Sequence, residues 1–271
     1  MQFQHLLDPV MVLAKQAGQA IMEVYARVDH EVVDKADASP LTAADLAAHH
    51  IIVAGLQKLN PQYPILSEEA AGIGWEQRQQ WRRYWLVDPL DGTREFIQRN
   101  GDFTVNIALI DDGVPVLGVV FAPVLGWLYC GVQGQGAHKY TQGTATTLNT
   151  AAITPDQQTL RVVASRNHRG EALDDWIATM QQRFPALDTV SMGSSLKICL
   201  VAEGQADIYP RLAPTSEWDT AAAQAVLEAA GGVVLDSHGQ ALRYNRKESL
   251  LNPFFFAVGD KTLEFPKPDL L

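Results

Sequence analysis

The stretch YWLVDPLDGTREF, residues 84–96, runs apolar residues straight into one aspartate and sets another three positions on, in a turn marked by Pro89 and Gly92. Trp85, Leu86 and Val87 read as the end of a buried strand. Two carboxylates at its mouth repel each other beside apolar surface, which is costly unless something positive holds them. Taken singly, Asp88 and Asp91 are ordinary turn formers. Taken together, they are a pair placed to hold a cation.

Working outward, FTVNIALI and VPVLGVVFAPV flank Asp111-Asp112-Gly113, the signature of a β-hairpin. GWLYCGVQGQGAHKY continues the meander through Gly-rich turns, and YPILSEE upstream is a short buried strand ending in acids. Asp8-Pro9 reads as the start of a helix striped by Val10, Leu13, Ala14, Ala17, Ile21 and Val24. A second helix opens at Thr42 and ends before Asn60-Pro61. EQRQQWRRYW reads as an amphipathic helix edge packing Trp75, Trp81 and Trp85 inward. Residues 1–155 are thus an α+β domain, two helices on a mostly antiparallel sheet. From 156 to 271 the pattern changes to an α/β domain. There LRVVAS, LDTVSM, ADIYP and GGVVL alternate with helices at 170–183, 194–203 and 218–230.

The chain has 271 residues, 47% apolar and 19% charged, enough for a substantial core. No apolar run approaches the ~20 residues of a spanning helix. The start, MQFQHLLDPVMVLAKQAG, does not read as a signal peptide. Cys130 and Cys199 give no disulfide framework; they read as packing thiols in a reducing cytoplasm. A net charge of −10 disfavours nucleic acid polymers. An anionic ligand would need bound cations or a few well-placed basic residues to reverse the local sign.

Four acidic features repeat one style, an acid at a strand end or helix start: Glu68-Glu69, Asp88 with Asp91, Asp45 and Asp219. Oxygen donors with no Cys/His spacing suit Mg²⁺ or Mn²⁺ and not zinc. The Leu90 carbonyl adds an oxygen between the two aspartates. Gly92 lets the backbone approach a ligand, and Thr93 offers a hydroxyl and an N–H where a helix begins. His49 and His50, adjacent on a helix, face different directions and do not form a ligand pair.

DPLDGTREF with SEE upstream and WDTAAAQAVLEAAGG downstream resembles the inositol monophosphatase superfamily of Mg²⁺-dependent, lithium-sensitive phosphatases. KADASPLTAAD, YWLVDPLDGTREFIQRNGDFTVNIALID and GSSLKICLVAEGQADIYPR narrow the resemblance to the bacterial 3′(2′),5′-bisphosphate nucleotidases of sulfate assimilation, over about residues 10–255. The resemblance implies a layered αβαβα fold and two or three ions held by Glu69, Asp88, the Leu90 carbonyl, Asp91 and Asp219. It implies catalysis by Thr93 with Asp45 as its proton acceptor, assisted by Glu69, while Glu68 touches the water or an ion through solvent or is structural. Leu90, Asp91, Gly92, Thr93 and Asp219 would meet the transferred phosphate; His168, Ser194, Lys197 and Arg211 would meet the rest of the nucleotide. The implied reaction turns adenosine 3′,5′-bisphosphate into AMP, with the 3′-phosphoadenylyl sulfate precursor as a second substrate. An inositol-1-phosphatase, a fructose-1,6-bisphosphatase and a non-catalytic Mg²⁺-dependent binder stay open. So do monomer against dimer and a loose association with the inner membrane surface.

Overall fold

The computed structural model describes residues 3–26, 32–34, 40–164 and 171–266. Helix α1 (Gln4–Tyr25) buries Val10, Ala14, Ala17, Ile21 and Val24, with Leu13 half-buried. It begins a turn before the expected Asp8 cap and carries Pro9 inside it, because Phe3, Leu6 and Leu7 bury in the same core and draw the helix backwards. The short strands β1 (Val32–Asp34) and β2 (Pro40–Thr42) pair antiparallel and lead into α2 (Ala43–Leu56), which ends about a turn earlier than expected.

Next come β3 (Ile65–Ser67), a 3₁₀ turn over Glu68–Ala70, α3 (Trp75–Arg78) and β4 (Arg83–Asp91). The expected helix edge over EQRQQWRRYW is therefore corrected to a single turn followed by a strand. Trp85 is fully buried in β4, and the surprise is Arg78, also buried. Its guanidinium donates to Asn245 Oδ1 at 2.7 Å and to the carbonyls of Lys247 and Glu248. Those acceptors meet the requirement that a buried charge be hydrogen-bonded.

After α4 (Thr93–Ile97), the strands β5 (Thr104–Asp111), β6 (Val114–Ala122), β7 (Trp127–Val132), β8 (Gly136–Thr141) and β9 (Thr144–Leu148) complete a seven-stranded sheet. Its order follows the chain from β3 to β9, antiparallel except at the β3–β4 edge. The β5–β6 hairpin turns on Asp112 and Gly113 at φ 52° and 75°, the two positive angles of a type I′ turn, whose twist matches that of the strands.

The second sheet is built from β10 (Thr159–Ala164), β11 (Ala186–Ser191), β12 (Ile208–Arg211), β13 (Val233–Asp236) and β14 (Phe255–Val258), in the order β11-β10-β12-β14-β13. The sequence reading did not anticipate β14. It inserts antiparallel between β12 and β13, so the sheet is mixed and not a plain parallel layer. Interleaved are α5 (Glu171–Met180), α6 (Leu196–Ala202) and α7 (Glu217–Ala229).

Among the described residues three apolar cores hold the five layers of the αβαβα arrangement together, the central one spanning both faces of α6 and α7. Along β4, Trp85 and Val87 face α1 and α2, while Tyr84 and Leu86 face α6, α7 and the second sheet. The period of two in a strand assigns alternate side chains to the two cores. Leu173, Trp176 and Met180 of α5 close the outer face of the second sheet. Where α7 crosses the first sheet, Gly118 of β6 and Gly131 of β7 are register partners. A Cβ on Gly118 would lie 2.1 Å from the Ala222 carbonyl oxygen, and one on Gly131 2.8 Å from Val226 Cα. The two glycines form a trough that seats the helix backbone on the sheet. Among the described residues no helix is long and apolar enough to cross a membrane.

Candidate active site

β4 loses its regular register at Pro89. Asp88 lies opposite Asn106 and Asp91 opposite Thr104, so three steps along β4 match two along β5. Proline has no N–H to give the ladder, and the extra residue is absorbed as a bulge. Side chains three apart on a regular strand point to opposite faces. Here both Asp88 and Asp91 line one cleft. Leu90 N donates to Asp88 Oδ1 at 3.0 Å. Gly92 then takes φ 90°, and a Cβ there would sit 2.2 Å from Ser194 Oγ, so the position needs glycine twice over.

The cleft has two lobes that share Asp91, Gly92, Glu95, Arg211 and Asp219. The acidic lobe adds Glu68, Asp88, Leu90 and Thr93. The other adds Ser194, Ser195, Lys197, Tyr209 and Phe255. Glu68, and not Glu69, lines the cleft; successive residues of a 3₁₀ turn point about 120° apart, and the charge of Glu69 bears on His49. His49 Nδ1 is bonded to Ser67 Oγ at 2.9 Å, and His50 is exposed. Asp45 is fully buried in the first turn of α2, behind the cleft wall and not part of its lining. His168 falls outside the described residues.

The electrostatics favour a cation. Asp88, 1% exposed, has its carboxyl pushed well above the usual range by burial and then by the charges of Glu68, Asp91, Asp219 and Asp45. Asp219 is pushed up by loss of hydration and by Asp91, while a bond from Ser216 N at 2.9 Å opposes the shift. Ser216 and Asp219 form the capping box of α7. Among the described residues no three Asp, Glu, His or Cys side chains close into a ligand shell. The acids line the cleft separately, all of them oxygen donors. That set fits Mg²⁺, which keeps several waters and takes only a few carboxylates.

Ser195 and Asn106 tie the lobes together, and the sequence reading missed both. Asp91 Oδ2 accepts from Ser195 N at 2.6 Å and from Ser195 Oγ at 2.9 Å, while Asn106 Nδ2 donates to Ser195 Oγ at 2.9 Å. Ser195 Oγ also lies 2.5 Å from the Asp219 carbonyl oxygen. One hydroxyl thus joins β4, β5, α6 and α7. The neighbouring Ser194, at φ 48°, spends its hydroxyl on the carbonyls of Asp91 and Asp102.

Lys197 is the buried cation that lines the second lobe alone, beside Arg211, which both lobes share. It is 9% exposed, and burial lowers its pKa to about 8 against the raising influence of Asp91. Its Nζ stands 5.8 Å from the centre of the Tyr209 ring, and among the described residues it has no ion pair. Arg211 donates to the carbonyls of Ala213 and Pro214 at 3.2 and 2.9 Å, which holds the turn leading to α7.

The profile of the inositol monophosphatase family matches residues 3–261. Over 251 residues the chain is 52% identical to the 3′(2′),5′-bisphosphate nucleotidase CysQ of Escherichia coli K12, covering 92% of this chain and 98% of that one. The solved structure of CysQ from Bacteroides thetaiotaomicron superposes with a TM-score of 0.83 at 42% identity, covering 96% of this chain and 99% of that one. An inositol monophosphatase from Zymomonas mobilis superposes with a TM-score of 0.74 at 25% identity, covering 97% and 96%.

Proposed function

The chain belongs to the inositol monophosphatase family, and from that premise we propose that it is a Mg²⁺-dependent 3′(2′),5′-bisphosphate nucleotidase of sulfate assimilation. It removes the 3′-phosphate of adenosine 3′,5′-bisphosphate to leave AMP, and acts in the same way on 3′-phosphoadenylyl sulfate. The observation that carries this reading is the second lobe. Lys197 is a buried ammonium without an ion-pair partner among the described residues, in the lobe that shares Asp91, Glu95 and Asp219 with the acidic one. A monophosphate has nothing to offer it; a second phosphate does.

The acids of the first lobe, Asp88, Asp91, Asp219 and Glu68, with the Leu90 carbonyl and with Glu69 next to Glu68 outside the lining, would hold two or three Mg²⁺ ions, a role Mn²⁺ also fits. When bound, the ions neutralise charge on the phosphoryl oxygens and lower the pKa of the attacking water. Thr93 orients that water, and Asp45 accepts the proton relayed through the threonine hydroxyl. The backbone N–H groups of Gly92 and Thr93 cradle the phosphate as the water oxygen bonds to phosphorus and the bond to the ribose oxygen breaks. A proton reaches the leaving alkoxide, giving AMP and inorganic phosphate. Arg211 and Lys197 hold the second phosphate, with His168 and Ser194 shaping the same pocket. The reaction belongs to the cytoplasm, where two buried, unpaired thiols at Cys130 and Cys199 are at home.

Phosphate release in Mg²⁺ from adenosine 3′,5′-bisphosphate against inositol-1-phosphate, with and without lithium, tests the reading. A higher kcat/KM for the nucleotide, suppressed by lithium, is expected; a preference for inositol phosphate would overturn it. Lys197→Ala sharpens the test. Losing a charge-assisted contact worth about 1.5–3 kcal/mol should raise KM for the bisphosphate roughly tenfold to a hundredfold. Inositol-1-phosphate should be hardly affected, and equal effects on both substrates would remove Lys197 from the second phosphate.

A further inference from the structure

Glu95 stands where the two lobes meet and lines both. It differs from the acids around it. Asp88 accepts from Leu90 N, Asp91 from Ser195 and Asp219 from Ser216 N. Among the described residues the Glu95 carboxylate has neither a hydrogen bond nor an ion pair, although Lys197 lies near enough to feel its charge. Space is kept for it by two residues without side chains. A Cβ on Gly193 would come within 3.0 Å of Glu95 Cγ, and one on Gly92 within 3.1 Å of its Oε2.

A carboxylate at this junction repels phosphate oxygens, so it does not serve the anionic parts of a ligand. What it can do is accept. The ligand spans from a phosphate in the acidic lobe to a phosphate at Lys197, and Glu95 lies along that span. In a nucleoside 3′-phosphate the donor beside the transferred group is the 2′-hydroxyl of the ribose. We propose that Glu95 is a specificity-determining residue whose carboxylate accepts a hydrogen bond from the hydroxyl next to the transferred phosphate, so that the enzyme distinguishes ribose from deoxyribose. This assignment rests on the nucleotidase reading above.

The test is an enzyme-by-substrate cycle. kcat/KM is measured on adenosine 3′,5′-bisphosphate and on its 2′-deoxy analogue for the wild type, Glu95→Ala and Glu95→Gln, at saturating Mg²⁺ and across a Mg²⁺ titration. A hydrogen bond to a charged acceptor is worth about a tenfold to hundredfold preference for the ribonucleotide. In Glu95→Ala that preference collapses to about threefold or less, and Glu95→Gln, which keeps a carbonyl acceptor, falls between. A ratio unchanged in Glu95→Ala overturns the assignment, whatever happens to the absolute rates. A variant whose defect is cured by more Mg²⁺ overturns it as well, in favour of an ion-binding role. Turnover of both nucleotides by the wild type without preference defeats the Glu95 assignment alone. Phosphate release from neither defeats the nucleotidase reading and takes the assignment with it.

Discussion

Asp91→Asn is expected to lower kcat about a thousandfold or more, some 4 kcal/mol of transition-state stabilisation, without lowering thermal stability in Mg²⁺-free buffer. The two halves of that expectation have separate causes. Asp91 lines both lobes, as Glu95 and Asp219 do, and its carboxylate alone of the three also holds the Ser195 N–H and hydroxyl, so it would serve the proposed cation site from a fixed position. An amide there offers a neutral oxygen where a hard divalent ion needs charge. The fold is spared because asparagine keeps an acceptor for Ser195 N, now bonded at 2.6 Å. It also removes one of the charges that push up Asp88 and Asp219. Thermal unfolding with and without Mg²⁺ reads the second half: the wild type gains stability on adding the ion, as any ligand of the folded state demands, and the variant gains little. Turnover within tenfold of wild type would remove Asp91 from the metal site. A large fall in melting temperature without Mg²⁺ would show that its main task is structural.

Gly118→Ala is expected to cost about 3 kcal/mol or more, seen as a fall in melting temperature of roughly 6–12 °C for a chain of this size. The added Cβ lands 2.1 Å from the Ala222 carbonyl oxygen and 2.8 Å from Ala225 Cβ, backbone and near-backbone atoms that no rotamer change can move. Helix α7 must lift, and Asp219 lies in its first turn. Weaker Mg²⁺ activation should therefore accompany the loss of stability. Gly72→Ala is the control, since nothing lies within 4 Å of its Cβ position; its change should stay within about 0.5 kcal/mol. Equal melting temperatures for the two variants would mean that α7 is not seated as described.

The sequence was most informative where local pattern and tertiary role coincide. The hairpin around Asp112-Gly113 and the apolar alternation from Tyr84 to Val87 are set by neighbours in the chain, so they can be read without coordinates. The acids of DPLDGT stood out because carboxylates beside an apolar strand end carry a cost that asks for a reason. What escaped depends on distant partners. β14 is a run of apolar residues near the C-terminus whose identity as a strand comes from β12 and β13, both far upstream. Ser195 and Asn106 are ordinary polar residues until the fold brings them to Asp91 from 104 and 15 positions away. Arg78 resembles any surface arginine, and its burial depends on Asn245 and on carbonyls 169 and 170 positions ahead. Glu95 was read only as part of a helix start, because nothing in sequence shows which acids find a donor at home.

The middle layer has a consequence for how such a protein can change over generations. Every residue of α6 is buried, as is most of α7, because both helices are covered by a sheet on either side. A helix without a solvent face has no neutral positions where substitutions can accumulate unnoticed. Lys197 is the sole charged residue of α6, and it survives there because the cleft gives its ammonium an outlet. Drift in this fold is therefore channelled to the outer helices α1 and α5, which carry exposed residues on their outer faces, and to the half-exposed turn from Arg211 to Ser216. New preferences among phosphate esters have somewhere to arise in that turn, while the layer that carries Lys197 and Asp219 stays closed to experiment.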